Sequence, residues 1–498
     1  MTKLKEILKA NWLILLIWLI AFTIRVFVAI FSKGYIHPDE HYQSIEVAYD
    51  TVFGLGRIPW EFEDGIRSWF YPGIVVVIFK SLKFIGITDI NSLIIGVRLF
   101  STFCSMITVI VTYFFAKKLF DKRVGIIATV FVSFWHDFIF WSARTIGDSI
   151  AMNFIFLGCY LTFLCFPNRN EEVSEAKLST QKFVLRSLFA GISFGIAFML
   201  KFSSVVIIIP LIIWLLVYKK WKEVLILIGG LGILVIVQGV IDHFTWGSFL
   251  HAPIEFVKFN ILEGQSVKFG ISPFISYIAL IFDAYSEYFL IFLMFIIIGS
   301  KCTKKHSILL TTFFFYFLVF SFISHKEYRF ILPIMPILVL FAAKGFAVYP
   351  NRIKKGSIKK PIFVTMVLVT IAFSCVNSFY LKTFQPRNQG CLAMEWIGQQ
   401  SDCEIVMLID GASFNLPGYA YLQTNVLIDF SHPEYINFYT NLYRNNHTYY
   451  LIPEEQYLKH YELCNSSFSA YNISNVKSFI GTHYFYDKTM LIFKNNIL

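Results

Sequence analysis

Apolar runs of nearly membrane-spanning length recur along most of this chain. A transmembrane helix needs about 20 consecutive apolar residues, and most of the runs approach that length. With 498 residues, of which 56% are apolar and 15% charged, a single soluble core cannot bury so much apolar surface. The chain is therefore predicted to be an all-α polytopic membrane protein. The runs occupy residues 12–30, 93–116, 124–140, 205–217, 224–241, 274–298, 308–322, 330–347 and 361–379.

Clusters of basic residues between the runs predict the topology. Lys and Arg in short loops remain on the cytoplasmic side of a membrane, and every second loop of this chain is basic. The alternation requires residues 70–86, an apolar segment cut by Pro72 and Gly73, to return to the outer face as an interfacial or re-entrant segment. The result is about eleven spanning helices. The alternative, in which residues 70–86 span and residues 117–123 lie outside, inverts the charge rule.

The net charge of +11 does not indicate nucleic acid binding, because the basic residues form short clusters between spans rather than one basic face. The lipid bilayer is the predicted partner, and no sequence feature defines a protein partner. A transporter or flippase is a second possible class, but it needs broken spans or acids at mid-membrane. The charged residues here gather at one predicted face, which disfavours that class.

The chain changes character after residue 381. Residues 1–381 form the predicted membrane domain, with an outer loop at 32–69. In residues 382–498 the hydropathy falls and short alternating runs appear, for example at 404–409 and 490–493. This pattern predicts a small extracytoplasmic soluble α/β domain.

The cysteines and histidines show no metal-binding pattern. The sequence has no Cys-x-x-Cys or His-rich spacing, so no metal is predicted. An oxidising compartment would permit one disulfide in the C-terminal domain, for which Cys391 and Cys403 are candidates. The chain also lacks a Gly-rich phosphate loop. No cofactor is therefore predicted, and an activated donor is expected to come from the bilayer as a co-substrate.

Two adjacent acids, Asp39 and Glu40, follow the first apolar run, and Glu46 lies one to two turns further on. Ionisable groups at a membrane edge are expensive, so such a cluster indicates a functional site. A plain helix start after Pro38 is the simpler interpretation of Asp39, because acids are favoured in a first helical turn. The second acid and Gln43 favour function.

Group transfer from a lipid phosphate suits these residues. The acceptor hydroxyl needs a base, for which Asp39 is the candidate, and the departing phosphate needs cations. Arginine pairs with two phosphate oxygens through its planar fork. The cations on the predicted outer face are Arg67, Arg144, Lys326 and Arg329, and His325 is a candidate hydrogen-bond donor.

Three motifs of this chain resemble those of the family 22 glycosyltransferases. The first outer loop contains Asp39-Glu40-His41, Gln43-Ser44, Glu46, Trp60-Glu61 and Gly65-Ile66-Arg67-Ser68; a middle loop contains Asp242 to Gly247 and Phe259-Asn260; and the corner reads His325-Lys326-Glu327-Tyr328-Arg329-Phe330. The similarity covers most of residues 30–345. Members of the family are GT-C membrane enzymes of the endoplasmic reticulum. They move mannose, with inversion, from dolichyl-phosphate mannose to a glycolipid.

The resemblance implies a GT-C fold, a polyprenyl-phosphate sugar as donor and a glycolipid as acceptor, with a glycosylphosphatidylinositol precursor suggested by the best-matching members. It implies that Asp39 is the base, and we expect Glu40 to position the acceptor or to raise the basicity of Asp39. The active site is expected on the extracytoplasmic face, in the endoplasmic reticulum of a eukaryote or the plasma membrane of a prokaryote. The predicted substrate-binding residues are His41, Gln43, Glu46, Trp60, Arg67, Arg144, Asp242, His325, Lys326 and Arg329.

Some alternatives stay open at this point. The C-terminal domain departs from the family pattern, since Leu-Ile-Asp-Gly-Ala-Ser at 408–413 stands where a Cys-His-Ser-Thr-Pro segment is expected. A prokaryotic polyprenyl-phosphate-sugar glycosyltransferase with another sugar and acceptor would share the membrane motifs. Arg67 is equally well explained as an interfacial anchor. Arg144 and Asp148 are equally well explained as a surface pair four residues apart.

Overall fold

A computed structural model of the chain describes residues 2–165, 179–285, 288–301, 307–349, 361, 365, 368, 369, 372, 386–409, 417–444, 446–479 and 489–495. This part of the chain is mainly helical, with a five-stranded sheet near the C-terminus. The helices are Thr2–Phe31, Pro38–Glu40, His41–Glu46, Val47–Phe53, Trp60–Glu63, Phe70–Phe84, Ile90–Leu119, Lys122–Phe134, His136–Ser142, Gly147–Phe163, Ser179–Leu200, Phe202–Ile207, Ile208–Val217, Trp221–Trp246, His251–Val257, Lys258–Leu262, Gln265–Phe269, Ser276–Tyr285, Tyr288–Lys301, Ser307–Phe322, Tyr328–Ile334, Met335–Val348, Asn388–Gly398, Tyr419–Leu422, Pro433–Tyr435, Ile436–Leu442, Glu454–Lys459 and Tyr461–Ala470.

The helical bundle has the length and apolarity of a polytopic membrane protein. Within the described residues, five helices are long and apolar enough to cross a membrane, or seven when each of two bent helix pairs counts as one span. Shorter apolar helices lie at Gly147–Phe163, Phe202–Val217 and Ile308–Phe322. The predicted total of about eleven stays a prediction, because the apolar run at 361–379 lies mostly outside the described residues.

Two segments differ from simple spans. The run predicted as one span at 124–140 forms two helices, Lys122–Phe134 and His136–Ser142, bent by 59° at the extended residue Trp135. The segment predicted as interfacial or re-entrant forms the 15-residue helix Phe70–Phe84, which is shorter than the roughly 20 residues of a span.

The adjacent acids lie in the first turn of a helix that runs over residues 38–53, here named the acidic helix. The side chain of His37 caps its start by accepting the backbone N–H of Asp39 at 3.1 Å. The helix ends at Gly54, whose φ of +70° favours glycine. Its consecutive parts are Pro38–Glu40, the π-helix His41–Glu46 and Val47–Phe53. A π turn inside a helix is frequent at functional sites.

The sheet consists of β1 (Ile405–Ile409), β2 (Leu427–Ser431), β3 (Thr448–Pro453), β4 (Ile473–Phe479) and β5 (Met490–Asn495). Its strand order is β2-β1-β3-β5-β4, in which β1 is parallel to β2 and β3, and β5 is antiparallel to β3 and β4. The runs predicted as strands therefore form β1 and β5. The predicted domain boundary at residue 381 lies outside the described residues.

The sheet shares one apolar core with the acidic helix and its neighbours. Tyr49 of the acidic helix and Phe79 lie in the same buried cluster as Val406, Leu451 and Ile492 of strands β1, β3 and β5. Apolar burial of this kind is the main favourable term in folding. The sheet is therefore held directly against the acidic helix of the first outer loop and the helix Phe70–Phe84 that follows the loop.

The prediction of a disulfide between Cys391 and Cys403 is wrong. Cys391 is buried on the helix Asn388–Gly398, and Cys403 lies just before β1. Each thiol hydrogen-bonds a backbone carbonyl, Cys391 that of Arg387 at 3.8 Å and Cys403 that of Ile405 at 3.7 Å. Cys391 is buried in the shared core and Cys403 packs against it partly buried, so both serve as small apolar side chains.

Candidate active site

The acid of the first outer loop and the basic corner, 290 residues apart in sequence, form a charged network. Arg329 donates through Nη2 to Asp39 Oδ2 at 2.7 Å. It donates to Glu327 through Nε at 2.6 Å and through Nη2 at 3.0 Å. The structure therefore brings together the predicted base and the cation predicted to bind phosphate, with Glu327 clamping the guanidinium by two bonds.

Two histidines complete the network around Glu327. His325 Nε2 lies 2.8 Å from Glu327 Oε1, and His37 Nε2 lies 3.3 Å from Glu327 Oε2. Because His37 accepts the N–H of Asp39 through Nδ1, its Nε2 carries the proton that faces Glu327. Glu327, the acid of the basic corner, is thus a structural partner of one arginine and two imidazoles.

Opposing effects set the pKa values of these acids. Burial alone raises the pKa of Asp39, but the positive charge of Arg329, to which the neighbouring His37 adds, outweighs burial and holds this pKa well below its usual range. For Glu327, burial is likewise outweighed by Arg329 and by the hydrogen bond with His325, so its pKa is also lowered. Both carboxyl groups are ionised at neutral pH.

A cavity of about 50 Å³ opens beside Asp39. Its charged lining residues are two acids, Asp39 and Asp148, and two bases, Arg67 and Lys201. The remaining lining residues are Gln43, Ser44, Phe62, Ser68, Tyr71, Pro72, Thr145, Ile146, Gly147, Met199, Leu200, Phe202 and Phe256. Paired charges beside apolar walls are the arrangement expected of a binding site for a charged headgroup.

Lys201 is a site residue that the sequence did not reveal. It is in extended conformation just after the helix Ser179–Leu200, and its Nζ lies 2.9 Å from Oδ1 of Asp148. Lys201 Nζ lies 4.7 Å from the centroid of the Phe330 ring, and Arg329 Cζ lies 5.2 Å from the same centroid. These two cations are therefore neighbours. Burial lowers the pKa of Lys201, and Asp148 opposes that shift.

A signal for Lys201 existed in the sequence. It is a lone lysine between two apolar stretches, at a turn that the topology places on the outer face, where the charge rule disfavours it. The sequence leaves Asp148 either in a surface pair with Arg144 or in contact with substrate. In the structure Asp148 pairs with Lys201 and lines the cavity.

Several guanidinium nitrogens of the site have no hydrogen-bond partner among the described residues. Arg329 Nη1 and Arg67 Nε are both buried and unsatisfied. A buried donor left unpaired costs about 1–3 kcal/mol, and more when it is charged. Such donors indicate where the oxygens of an anion bind. Arg67 lines the cavity, and Arg329 does not, but it pairs with Asp39, which does.

Gln43 and Arg67 converge on Glu61. Gln43 Nε2 donates to Glu61 Oε1 at 2.9 Å, and Arg67 Nη2 lies 3.6 Å from the same oxygen. Burial raises the pKa of Glu61, while Arg67 lowers it. Gln43 and Arg67 line the cavity, as expected of substrate-binding residues.

Glu40 and Arg144 lie behind the cavity rather than in it. Glu40 accepts the backbone N–H groups of Ile36 and Thr145, both at 3.0 Å, and lies 3.8 Å from Arg144 Nη1. Arg144 also donates to the hydroxyl of Ser32. Both residues fix the start of the acidic helix against the turn at Thr145. The catalytic role predicted for Glu40 and the substrate contact predicted for Arg144 stay predictions.

Asp242, Lys326 and Trp60 also lie outside the cavity lining. Asp242 accepts from Gln238 Nε2 at 2.7 Å and from the backbone N–H of Ala252 at 3.1 Å, which closes its loop. Lys326 Nζ donates to two backbone carbonyls, at 2.7 and 3.0 Å. Trp60 packs on Phe259 and Phe269, with ring centroids 5.3 and 5.8 Å away.

His41 and Glu46 face a part of the C-terminal region, residues 386–409 and 417–422, here named the C-terminal segment. His41 Nε2 lies 3.1 Å from Glu46 Oε2, and Glu46 accepts the backbone N–H groups of Tyr419 at 2.8 Å and Ala420 at 3.1 Å. Neither residue lines the cavity. Among the described residues, no group of three or more His, Cys, Asp and Glu side chains is arranged to hold a metal ion. A metal-free site stays a prediction.

The fold and the site together define a polytopic membrane protein that carries a carboxylate–guanidinium site in which Arg329 is buried and Asp39 is partly exposed. The structure of ArnT from Cupriavidus metallidurans bound to undecaprenyl phosphate has the same fold, with a TM-score of 0.61 at 12% sequence identity over 97% of this chain and 98% of ArnT. A GT-C fold is thereby confirmed. The sequence profile of the Alg9-like mannosyltransferase family matches residues 16–405, and the chain belongs to that family.

Characterised relatives are mannosyltransferases. The chain is 28% identical over 335 residues to mannosyltransferase APTG1 of Arabidopsis thaliana, covering 66% of this chain and 58% of that protein. It is 27% identical over 333 residues to GPI alpha-1,2-mannosyltransferase 3 of Homo sapiens, covering 65% of this chain and 56% of the human protein. The matched region therefore spans somewhat more than half the length of either relative.

Proposed function

We propose that the protein is an inverting mannosyltransferase that moves mannose from a dolichyl- or polyprenyl-phosphate donor to a glycolipid acceptor. One observation carries the proposal: Asp39 lines a cavity together with the cations Lys201 and Arg67, and it forms an ion pair with Arg329. Arg329 and Arg67 each keep a buried guanidinium nitrogen without a hydrogen-bond partner among the described residues. Membership of the Alg9-like mannosyltransferase family supports mannose as the sugar. The undecaprenyl phosphate bound by ArnT, which shares the fold, supports a lipid phosphate as the carrier.

The phosphate of the donor binds the cations of the site. Arg329 is already held by Glu327 and Asp39, so its Nη1 is the group that remains for a phosphate oxygen. Lys201 and Arg67 supply further positive charge from the cavity wall. Charge that grows on the departing phosphate is stabilised most by preorganised donors in a site that excludes water.

Asp39 accepts the proton of the acceptor hydroxyl. The acceptor oxygen forms a bond to the anomeric carbon from the face opposite the phosphate, while the bond from that carbon to the phosphate oxygen breaks and its electron pair leaves with the phosphate. This single displacement inverts the anomeric carbon. Because the transition state is oxocarbenium-like, the acceptor proton becomes acidic late, so a carboxylate of low pKa suffices.

Donor binding also changes the base. A phosphate on Arg329 shares the positive charge that otherwise acts on Asp39, so the pKa of Asp39 rises towards its usual range when the donor is bound. The acceptor is a glycosylphosphatidylinositol precursor, an assignment supported by the names of the relatives. The site lies on the extracytoplasmic face, as the distribution of basic loops predicts.

The decisive experiment is transfer of radiolabelled mannose from dolichyl-phosphate mannose to a lipid extract by the purified protein. The expected result is label in a glycolipid with the wild type and a loss of at least about a hundredfold with Asp39→Asn. Asp64→Asn is the matched control, because Asp64 is an exposed aspartate of the same outer loop. Full activity of Asp39→Asn would overturn the assigned base.

A second experiment distinguishes a different donor sugar from the absence of transferase activity. Other polyprenyl-phosphate sugars are offered to the same preparations, and label from one of them alone would replace mannose by that sugar. Transfer from no donor by a well-folded wild type would overturn the transferase proposal.

A further inference from the structure

A buried carboxylate ties the acidic helix to the C-terminal segment. Glu46 is fully buried, and its oxygens accept the backbone N–H groups of Tyr419, Ala420 and Arg57 at 2.8, 3.1 and 3.2 Å. His41 contributes a further contact at 3.1 Å. Three backbone N–H groups and one imidazole thus converge on a single buried carboxylate.

The contact leaves no space for a side chain at residue 418. A Cβ built on Gly418 would lie 2.4 Å from Glu46 Oε1, inside van der Waals contact. A second close approach lies just before the acidic helix, where a Cβ on Gly34 would lie 1.9 Å from the carbonyl oxygen of Pro386. Backbone of the C-terminal segment thus closes on both sides of the acidic helix start.

The rings around His41 belong to the same contact. His41 stacks on Tyr35 at 5.4 Å and faces Tyr421 at 5.5 Å, measured between ring centroids. All three residues are buried. The contact therefore combines hydrogen bonds, close backbone approach and aromatic packing, and the segment 418–421 supplies one side of each.

We propose that Glu46 and Gly418 form a latch through which the C-terminal segment positions Asp39. Asp39 and Glu46 lie on one continuous helix, so the latch fixes the position of the helix turn that carries the base. Both are positioning residues, since neither lines the cavity. The catalytic consequence rests on the proposed transferase function, because a base displaced by about 1 Å loses roughly a hundredfold in rate.

The kinetic test compares Glu46→Gln and Gly418→Ala with the wild type. Each variant is expected to lower kcat by about tenfold to a hundredfold, while KM for dolichyl-phosphate mannose changes by less than about twofold, because the cations that bind phosphate lie elsewhere. The first control is Glu404→Gln, because Glu404 is an exposed glutamate just before strand β1 that also accepts a backbone N–H. The second is Gly229→Ala, because a Cβ added at Gly229 meets no atom within 4 Å. Unchanged kcat in both latch variants would overturn the proposal.

A double-mutant cycle tests whether the two residues act as one unit. Gly418→Ala is expected to lower kcat in the wild-type background and to have no further effect in Glu46→Ala, because the atom that its methyl group meets is then absent. Independent, multiplying effects would contradict the latch.

A measurement independent of activity separates this proposal from the function. Hydrogen exchange of residues 37–46 in the intact protein is expected to quicken at least about tenfold in Gly418→Ala and not in Gly229→Ala. Faster exchange in a protein that transfers no sugar would preserve the latch and refute only the function. Equal exchange in both variants would refute the latch even in an active enzyme.

Discussion

At the scale of single residues, the site is built from charges that neutralise one another in pairs. Asp39 and Glu327 share Arg329, while Asp148 holds Lys201. An unpaired buried charge is expensive, and each pair removes most of that cost. The same pairing leaves Arg329 Nη1 without a partner among the described residues, so the network is complete except for an anion.

The ion pairs of Arg329 predict how stability depends on pH. The pKa values of Asp39 and Glu327 are lower in the folded protein than their usual values. Their contribution to stability is therefore present above about pH 4, the usual carboxyl pKa, and is lost as pH falls through the lowered folded values. In Arg329→Gln both pKa values rise, so this part of the acid destabilisation is expected to shrink.

Thermal unfolding in detergent between pH 7 and pH 3 measures that effect. Arg444→Gln is the control, since Arg444 is exposed on the surface of the C-terminal region. An identical pH dependence in wild type and Arg329→Gln would show that the arginine does not stabilise the ionised acids.

Lys201 gives the second prediction at this scale. Lys201→Gln removes a cation from the cavity, and since hydrogen bonds to charged groups contribute about 1.5–3 kcal/mol, KM for the donor is expected to rise about tenfold or more. Lys344→Gln is the matched control, because Lys344 pairs with Asp121 away from the cavity at 3.9 Å. A rise in KM of equal size in both variants would remove Lys201 from the donor site.

Sequence predicted the central pair but not the roles of the other acids. Asp39 and Arg329 stand out because each is a charge where the topology disfavours charges. Glu40 and Glu46 look the same in sequence, yet their oxygens are taken by backbone N–H groups of Thr145 and Tyr419. Those partners lie about a hundred and several hundred residues away, so the pattern near residue 39 does not contain them.

At the scale of elements, the basic corner is positioned by the bent helix pair. Tyr328, next to Arg329, donates its hydroxyl to Asp137 Oδ2 at 2.6 Å, and Tyr285 donates to the same oxygen at 3.2 Å. Asp137 lies just after the bend at Trp135. The bend thus brings an acid to the start of the helix Tyr328–Ile334. Nothing in the apolar run 124–140 predicts it, because the bend contains neither proline nor glycine.

Tyr328→Phe tests this anchor. The change leaves a buried carboxylate oxygen with one hydroxyl partner fewer, so the free energy of unfolding is expected to fall by about 1–3 kcal/mol. Thermal unfolding measures the loss. Tyr461→Phe is the control, because the side chain of Tyr461 is exposed. Equal midpoints for the two variants would refute the anchor.

At the scale of the whole molecule, the apolar runs predicted the fold class well because lipid imposes one length and one composition on every span. The packing of the sheet on the bundle was not predictable, since strands β1 and β3 are buried on both faces. Val406 and Leu408 pack into the shared core while Met407 and Ile409 pack into a separate cluster, so the pattern does not say which face meets the bundle. Such packing follows from the tertiary structure rather than from a local period.

The predicted topology has a direct test. Glu454 in the C-terminal region and Lys219 in a basic loop are both exposed. With single cysteines at these positions, a membrane-impermeant maleimide added outside sealed cells or vesicles of known orientation is expected to label Glu454→Cys and not Lys219→Cys. The reagent added after permeabilisation provides the control. Labelling of both sites from one side would contradict the topology.

The shared core also has a consequence for the order of synthesis. Tyr49 and Phe79 leave the ribosome hundreds of residues before Leu451 and Ile492, with which they pack. Contacts this distant in sequence form late. The helix that carries Asp39 is therefore made early but packs against the sheet last, so a chain cut short before its final strands keeps Asp39 without the surroundings that place it.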